Sequence, residues 1–153
     1  MTAFEIEEVV DAGRPDETFP VMNELRTQLD LDMYRDLLAR MQPEGYRLFV
    51  LRSEGTIHAV AGVALGTNLY FGRYLWVYDL ITTGSSRSKG YGKALLDHLE
   101  ELARSEGCDT IALASALQRK DAHRFYEEKA GFQKVSYTFR KDLKGKAFFE
   151  PKT

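Results

Sequence analysis

The sequence predicts an α/β protein of the α+β type, a single domain in which antiparallel strands come first and helices then cover a mixed sheet. Three observations carry this. Apolar positions alternate between spacings of about two and about 3.6 residues, giving the order β-α-α-β-β-β-α-β-α-β. Two β-type runs, 46–52 and 57–65, are parted only by Ser53-Glu54-Gly55-Thr56, a short polar break that reads as a hairpin turn. At 153 residues the chain is long enough for one real core, and no linker or internal repeat divides it.

The elements arise from local pattern. Phe4 to Val9 alternates and opens as a strand, and Gly13-Arg14-Pro15-Asp16 then breaks the chain. Phe19, Met22, Leu25 and Leu29 recur at helical spacing over 17–29, and Tyr34, Leu37, Leu38 and Met41 repeat it over 31–41. Pro43 and Gly45 close that region. After the hairpin, Asn68 to Arg73 is a second turn region before a strand, Tyr74 to Thr82. Leu95, Leu96, Leu99, Leu102 and Ala103 mark one face of a helix that Gly107 ends. Thr110 to Ala114 is short and apolar, as a central strand requires. Asp121 is placed as the N-cap of a helix running to Lys129, with Gly131 as its terminator. Val135 to Phe139 alternates again and extends towards Leu143 as a last strand. This sets the domain at 1–143 and leaves a polar tail, 144–153, carrying Phe148-Phe149. The tail docks on the body or frays, and both readings stand.

Composition narrows the function. A net charge of −2 and the lack of a basic stretch with interleaved aromatics argue against nucleic acid. No apolar run reaches transmembrane length, and the alternating, acidic start is unlike a signal peptide, so no membrane partner and a cytoplasmic location are expected. Cys108 is the only cysteine, which rules out an internal disulfide and a multi-cysteine zinc site. Following Gly107 and preceding a strand, it reads as a small packing residue. His58 and His98 have no metal-ligating neighbours in sequence, so no metal is assigned.

The most specific stretch is Arg87-Ser88-Lys89-Gly90-Tyr91-Gly92-Lys93, between a strand and a helix. The first N–H groups of a helix lack intrahelical partners, and the helix dipole favours negative charge there. Glycines let the main chain approach a phosphate closely, and Arg87 and Lys89 add positive charge. The bland reading is a plain strand-to-helix connection. Downstream lies Ala122-His123-Arg124-Phe125-Tyr126-Glu127-Glu128-Lys129-Ala130-Gly131-Phe132.

Together these residues resemble the GNAT superfamily of acetyl-CoA-dependent N-acetyltransferases. The family's loop signature is Arg or Gln, two residues, Gly, one residue, then Gly or Ala. Its second signature has Ala, three residues, Tyr, and soon after Gly-Phe. The likeness covers residues 4 to 143 and implies a mixed, mostly antiparallel central sheet flanked by helices. Two positions depart from it: Gly84 stands where a proline is frequent, and Arg119 where an Asn commonly helps hold the cofactor.

The resemblance implies acetyl-CoA as donor cosubstrate, with its pyrophosphate on the N–H groups between Ser88 and Lys93. It also implies a pantetheine arm pairing with the main chain at Ile81, Thr82 and Thr83. Tyr126 is then the catalytic candidate, a phenol of ordinary pKa about 10 that protonates the leaving thiolate, or else packs and orients the sulfur. Asp79 is the nearest acid. It is either a general base in an apolar setting or a structural carboxylate satisfied by nearby donors. Loss of the amine proton to water stays open beside it. His123, at i, i+3 from Tyr126, reads as a base or as an exposed helix residue. Tyr70, Phe71, Tyr74, Trp76 and Tyr78 line an acceptor pocket, a core face or a surface between subunits. The function implied is acetyl transfer from acetyl-CoA to a primary amine of a small molecule or peptide by direct attack. A non-catalytic acetyl-CoA-binding regulatory module is the alternative, and the family likeness allows a homodimer.

Overall fold

The computed structural model describes residues 3–10 and 15–149, in two compact units, Met1–Leu113 and Ala114–Thr153. The expected break at Gly13-Arg14 and the last tail residues, 150–153, lie outside the described residues.

The first unit runs β1 (Glu5–Val9), α1 (Pro15–Leu25), α2 (Leu31–Met41), β2 (Arg47–Ser53), β3 (Thr56–Asn68), β4 (Gly72–Thr82), α3 (Tyr91–Ser105) and β5 (Thr110–Leu113). Pro15 and Asp16, expected in the break, instead open α1. Proline suits a first helical position because its missing N–H has no partner there, and Asp16 and Glu17 favour the helix's positive end. The helix expected over 17–29 stops at Leu25. Asn23 Nδ2 donates to the carbonyls of Arg26 and Leu29, each at 2.9 Å, and holds the chain in a turn. Asp30 then caps α2, its carboxylate accepting from Met33 N at 2.8 Å.

The strands pair in the order β1-β2-β3-β4-β5. The first three pairings are antiparallel and β4 with β5 is parallel, so the sheet is mixed and mostly antiparallel as expected. Glu54 at φ 53° and Gly55 at φ 77° make the β2–β3 hairpin turn, in which both central residues need the left-handed region. Two bulges interrupt the ladders. Between β2 and β3 the register slips at Leu51/Arg52 and leaves His58 as the extra residue. Between β3 and β4 it slips at Gly62/Val63 and leaves Tyr78 as the extra residue.

Alternation divides the core between two sheet faces. Leu48, Val50, Val60 and Ile81 face one side, packed with Val21, Met22, Tyr34 and Leu38 of α1 and α2. The α3 helix covers the other face, with Leu95, Leu96 and Leu99 buried and His98 against Phe49 at 5.9 Å between ring centres. No described helix is long and apolar enough to cross a membrane.

In the second unit, α4 (Lys120–Arg124) continues as a π-helical turn, Phe125–Lys129, rather than as the uniform α-helix expected. Arg119, not Asp121, is the N-cap, and no side chain caps it. Asp121 sits one residue inside the helix and pairs with Arg124. Gly131, at φ 76°, ends the helical region as expected. The last strand does not form: residues 132–142 lack regular structure, and Val135, Tyr137 and Phe139 are exposed. Their alternation defines two sides of an extended chain, but a strand also needs a partner edge, and this unit holds no other strand among its described residues.

Candidate functional site

The site grows from a difference in strand length. β5 pairs with β4 only from Tyr74 to Val77, so Tyr78 to Thr82 has β3 on one side and no strand on the other among the described residues. Thr83 N donates to His58 O at 2.9 Å, which turns Thr83 towards β3. Strand alternation then turns Ile81 the same way and points the N–H and C=O of Leu80 and Thr82 to the open edge. Of the three residues expected to offer main-chain pairing, Thr82 has the outward geometry, and Leu80 joins it.

The edge leads into a helix start. Gly90 caps α3 at φ 82°, in the left-handed region that glycine adopts without steric cost. Ala94 N bonds back to Gly90 O at 3.0 Å, the first intrahelical bond, so the N–H groups of Tyr91, Gly92 and Lys93 have no intrahelical partner. Ser88 is also left-handed, at φ 69°, a strained conformation for a residue with a Cβ. Gly92 is a close-approach position: an added Cβ would meet Thr82 Oγ1 at 2.9 Å. Arg87 Nε lies 3.4 Å from Thr82 O, and Lys93 Nζ pairs with Asp97 at 2.6 Å. Arg87 and Lys89 are both exposed around the loop, where an anion would reach them.

Asp79 lies at the bulge and is buried. Its two oxygens are engaged: Arg26 Nε donates to Oδ1 at 2.9 Å, and Tyr46 Oη donates to Oδ2 at 2.6 Å. Arg26 also donates to the carbonyl of Tyr78, the bulged residue, at 2.9 Å. Tyr46 Oη sits directly over Gly62, where an added Cβ would lie 1.6 Å from it. Burial, then the adjacent Asp79 charge, push the Tyr46 phenol well above its ordinary pKa. Glu24, near the end of α1, takes the far end of the same stretch, accepting from Thr83 Oγ1 at 2.6 Å and Gly84 N at 2.8 Å. The glycine standing at the family's frequent proline position therefore uses an N–H that proline lacks.

In the second unit Tyr126 is buried within the π-helical turn, its ring 5.5 Å from Phe125 and 5.8 Å from Phe132. Burial raises its pKa, while the charge and hydrogen bond of Arg119 oppose the rise. The phenol thus stays protonated at neutral pH and has a cation beside it. His123 Nε2 lies 2.9 Å from Ala116 O, so that nitrogen carries the ring proton. The hydroxyl of Ser115 is the one buried side-chain polar atom without a hydrogen-bond partner among the described residues. Burial pushes the Cys108 thiol up, in keeping with a packing residue.

Sequence reasoning located the loop and Asp79 but missed Glu24, Arg26, Tyr46 and His58, all of which reach the β4 edge from other elements. For His58 a partial signal existed: folding β3 back on β4 around the Asn68 to Arg73 turn brings residue 58 to the end of β4, opposite 82, and the bulge at Tyr78 shifts it to 83.

An open strand edge running into a helix start suits a ligand with an extended, amide-bearing arm and a phosphate end. An acyl-CoA has that form. A model of the acetyltransferase (GNAT) family matches residues 8–132. The chain is 48% identical over 128 residues to the uncharacterized N-acetyltransferase YhdJ of Bacillus subtilis, covering 83% of this chain and 90% of that protein. It is 27% identical over 122 residues to the aminoalkylphosphonate N-acetyltransferase of Salmonella typhimurium, covering 78% of each. In fold it matches the aminoglycoside N-acetyltransferase AAC(6')-Iy, solved in complex with CoA, at a TM-score of 0.81 and 12% identity over 93% of this chain and 95% of that one. The chain belongs to the acetyltransferase (GNAT) family and is an N-acetyltransferase.

Proposed function

We propose that this chain transfers the acetyl group of acetyl-CoA to a primary amine on a small molecule or peptide, within residues 1–143. The observation that carries the reading is the open β4 edge leading into the Gly90-capped start of α3. The N–H groups from Ser88 to Lys93, with Arg87 and Lys89 beside them, hold the pyrophosphate. Leu80 and Thr82 pair with the pantetheine arm, as an added strand would. The thioester supplies an activated acetyl group. The amine nitrogen bonds to its carbonyl carbon, the C–S bond breaks, and Tyr126 gives its proton to the leaving sulfur. Arg119 stabilises the phenolate left behind until the proton shed by the acylated nitrogen returns to it through water.

Asp79 serves by position in this proposal. Both its oxygens already accept hydrogen bonds and Arg26 pairs with its charge, so taking up a proton would weaken the contacts that hold the bulge. The amine proton, held at a pKa of about 10.4 in a lysine-like acceptor, leaves to water. Half-exposed Tyr78, ring to ring with Tyr46 at 6.0 Å, supports an acceptor approach at the bulge. The exposed alternating residues Val135, Tyr137 and Phe139 support a homodimer, which light scattering of wild type and Phe139→Asp tests.

Thiol release over a panel of primary amines tests the reaction. Tyr126→Phe is expected to lower kcat about a hundredfold while changing the KM for acetyl-CoA little. An unchanged kcat removes Tyr126 from the acid role.

A further inference from the structure

We propose that His58 is the positioning residue of the donor loop: it clasps the loop at three points and sets the affinity for CoA. The inference rests on the reading that this loop holds the CoA pyrophosphate. His58 is the extra residue of the β3 bulge, and bulges re-aim side chains. Its carbonyl accepts from Thr83 N at 2.9 Å, where the strand ends. Its Nδ1 lies 2.6 Å from Ser86 Oγ, in the short helical turn Gly84–Ser86. Its ring stacks on Tyr91 at 4.9 Å and 29°, where α3 begins. One residue therefore touches the entry, the middle and the exit of the loop.

The hydrogen bonds also fix the tautomer of the neutral ring. Nε2 lies 3.3 Å from Ser53 O, and a carbonyl can only accept, so Nε2 carries the proton. Nδ1 is then the acceptor, and the Ser86 hydroxyl donates to it. Ser86 is 2% exposed and Tyr91 4%, so neither has a water alternative of equal quality. With the middle of the loop tied down, Ser88 is held in its strained left-handed conformation, and the N–H groups beyond it already face one way. A preformed anion site spends less of its binding energy on ordering the loop.

Titration calorimetry with CoA, on wild type, His58→Ala, Ser86→Ala and the double variant, tests the clasp. Each single change is expected to weaken CoA about fivefold to tenfold, and the double variant no more than either. His58→Asn, whose side-chain oxygen can occupy the Nδ1 position, is expected to recover part of the loss. At saturating acetyl-CoA, kcat and the KM for the amine are expected to stay within about twofold, the mark of a donor-side effect. Losses that simply add, or CoA affinity unchanged in His58→Ala, overturn the proposal. Hydrogen exchange separates this from the reading beneath it. If wild type fails to bind CoA, the donor assignment falls. Faster exchange across residues 84–93 in His58→Ala supports the clasp even then, and unchanged exchange there refutes it.

Discussion

Asp79→Asn separates a base from an anchor. The carboxylate accepts from Tyr46 on one oxygen and Arg26 on the other. An amide has a single acceptor oxygen: turned to the phenol it sets its NH2 against the guanidinium, which cannot accept, and turned to the guanidinium it makes the phenol accept instead of donate, so the phenol's bond to a charged group is lost either way. Losing a buried hydrogen bond to a charged group costs about 1.5–3 kcal/mol. The ion pair adds less, roughly 0.5–1 kcal/mol, because the Arg26 side chain is 36% exposed and solvent screens it. The sum is about 3 kcal/mol. For a chain of this size that corresponds to a Tm lower by roughly 6–12 °C.

Thermal unfolding and pH–rate profiles are the paired assays. The anchoring role predicts that drop in Tm, with kcat at 25 °C reduced less than about tenfold and the profile's shape kept. A base predicts the reverse: a loss of about 10²–10⁴ in kcat at a nearly unchanged Tm. That second pattern refutes the reasoning. So does a Tm that moves by less than about 1 °C, since it would mean that the contact of Asp79 with Tyr46 and Arg26 holds nothing. Adding Tyr46→Phe closes a double-mutant cycle, and a coupling of about 1 kcal/mol or more is expected between the two positions.

Gly62→Ala drives a Cβ into Tyr46 Oη at 1.6 Å and Cζ at 2.1 Å, so the buried ring has to leave. A loss of about 3–5 kcal/mol in urea unfolding is expected, and little further loss when it is added to Tyr46→Ala, where the obstacle is gone. Alkaline pH probes the buried phenols. Burial pushes Tyr34 up to about 12 and Tyr46 and Tyr126 upward too, so the folded state keeps protons the unfolded chain has given up. Their contribution is complete below pH ~10 and falls by ~1.4 kcal/mol per pH unit for each tyrosine between its unfolded and folded pKa. Unfolding free energies at pH 9, 10 and 11 are expected to be level and then fall. A flat line to pH 11 would contradict the burial of Tyr34.

The strand-to-helix junction proposed as the donor side was legible in the sequence because its pattern is local. Gly90 and Gly92 with Arg87 mark a strand-to-helix junction within seven residues, and an apolar face at helical spacing identifies α3 behind it. The α1–α2 region was legible as two amphipathic stretches, and Leu29 packs on the core as its spacing implied. Its early turn was not, because Asn23 makes it by reaching forward to two carbonyls. The last strand misled for a related reason: alternation encodes faces and carries no information about a partner edge. Arg26, Tyr46 and Glu24 lie 33 to 60 positions from the groups they hold, and no periodicity records such pairings. The bulges hid the rest. A one-residue slip at His58 or Tyr78 changes which side chains share a face, and neither residue has a glycine or proline beside it to announce the slip.

These distant residues act on one stretch of chain. Arg26 holds the carbonyl of Tyr78 and the Asp79 carboxylate, where the open edge begins, and Glu24 holds Thr83 and Gly84, where it ends. Both come from the end of α1 and the turn after it. His58 secures Thr83 and Ser86 from β3. The residues between these fastenings keep their outward N–H and C=O groups in place with β3 on one side only. An edge fixed this way pairs with an extended ligand at little cost in chain entropy.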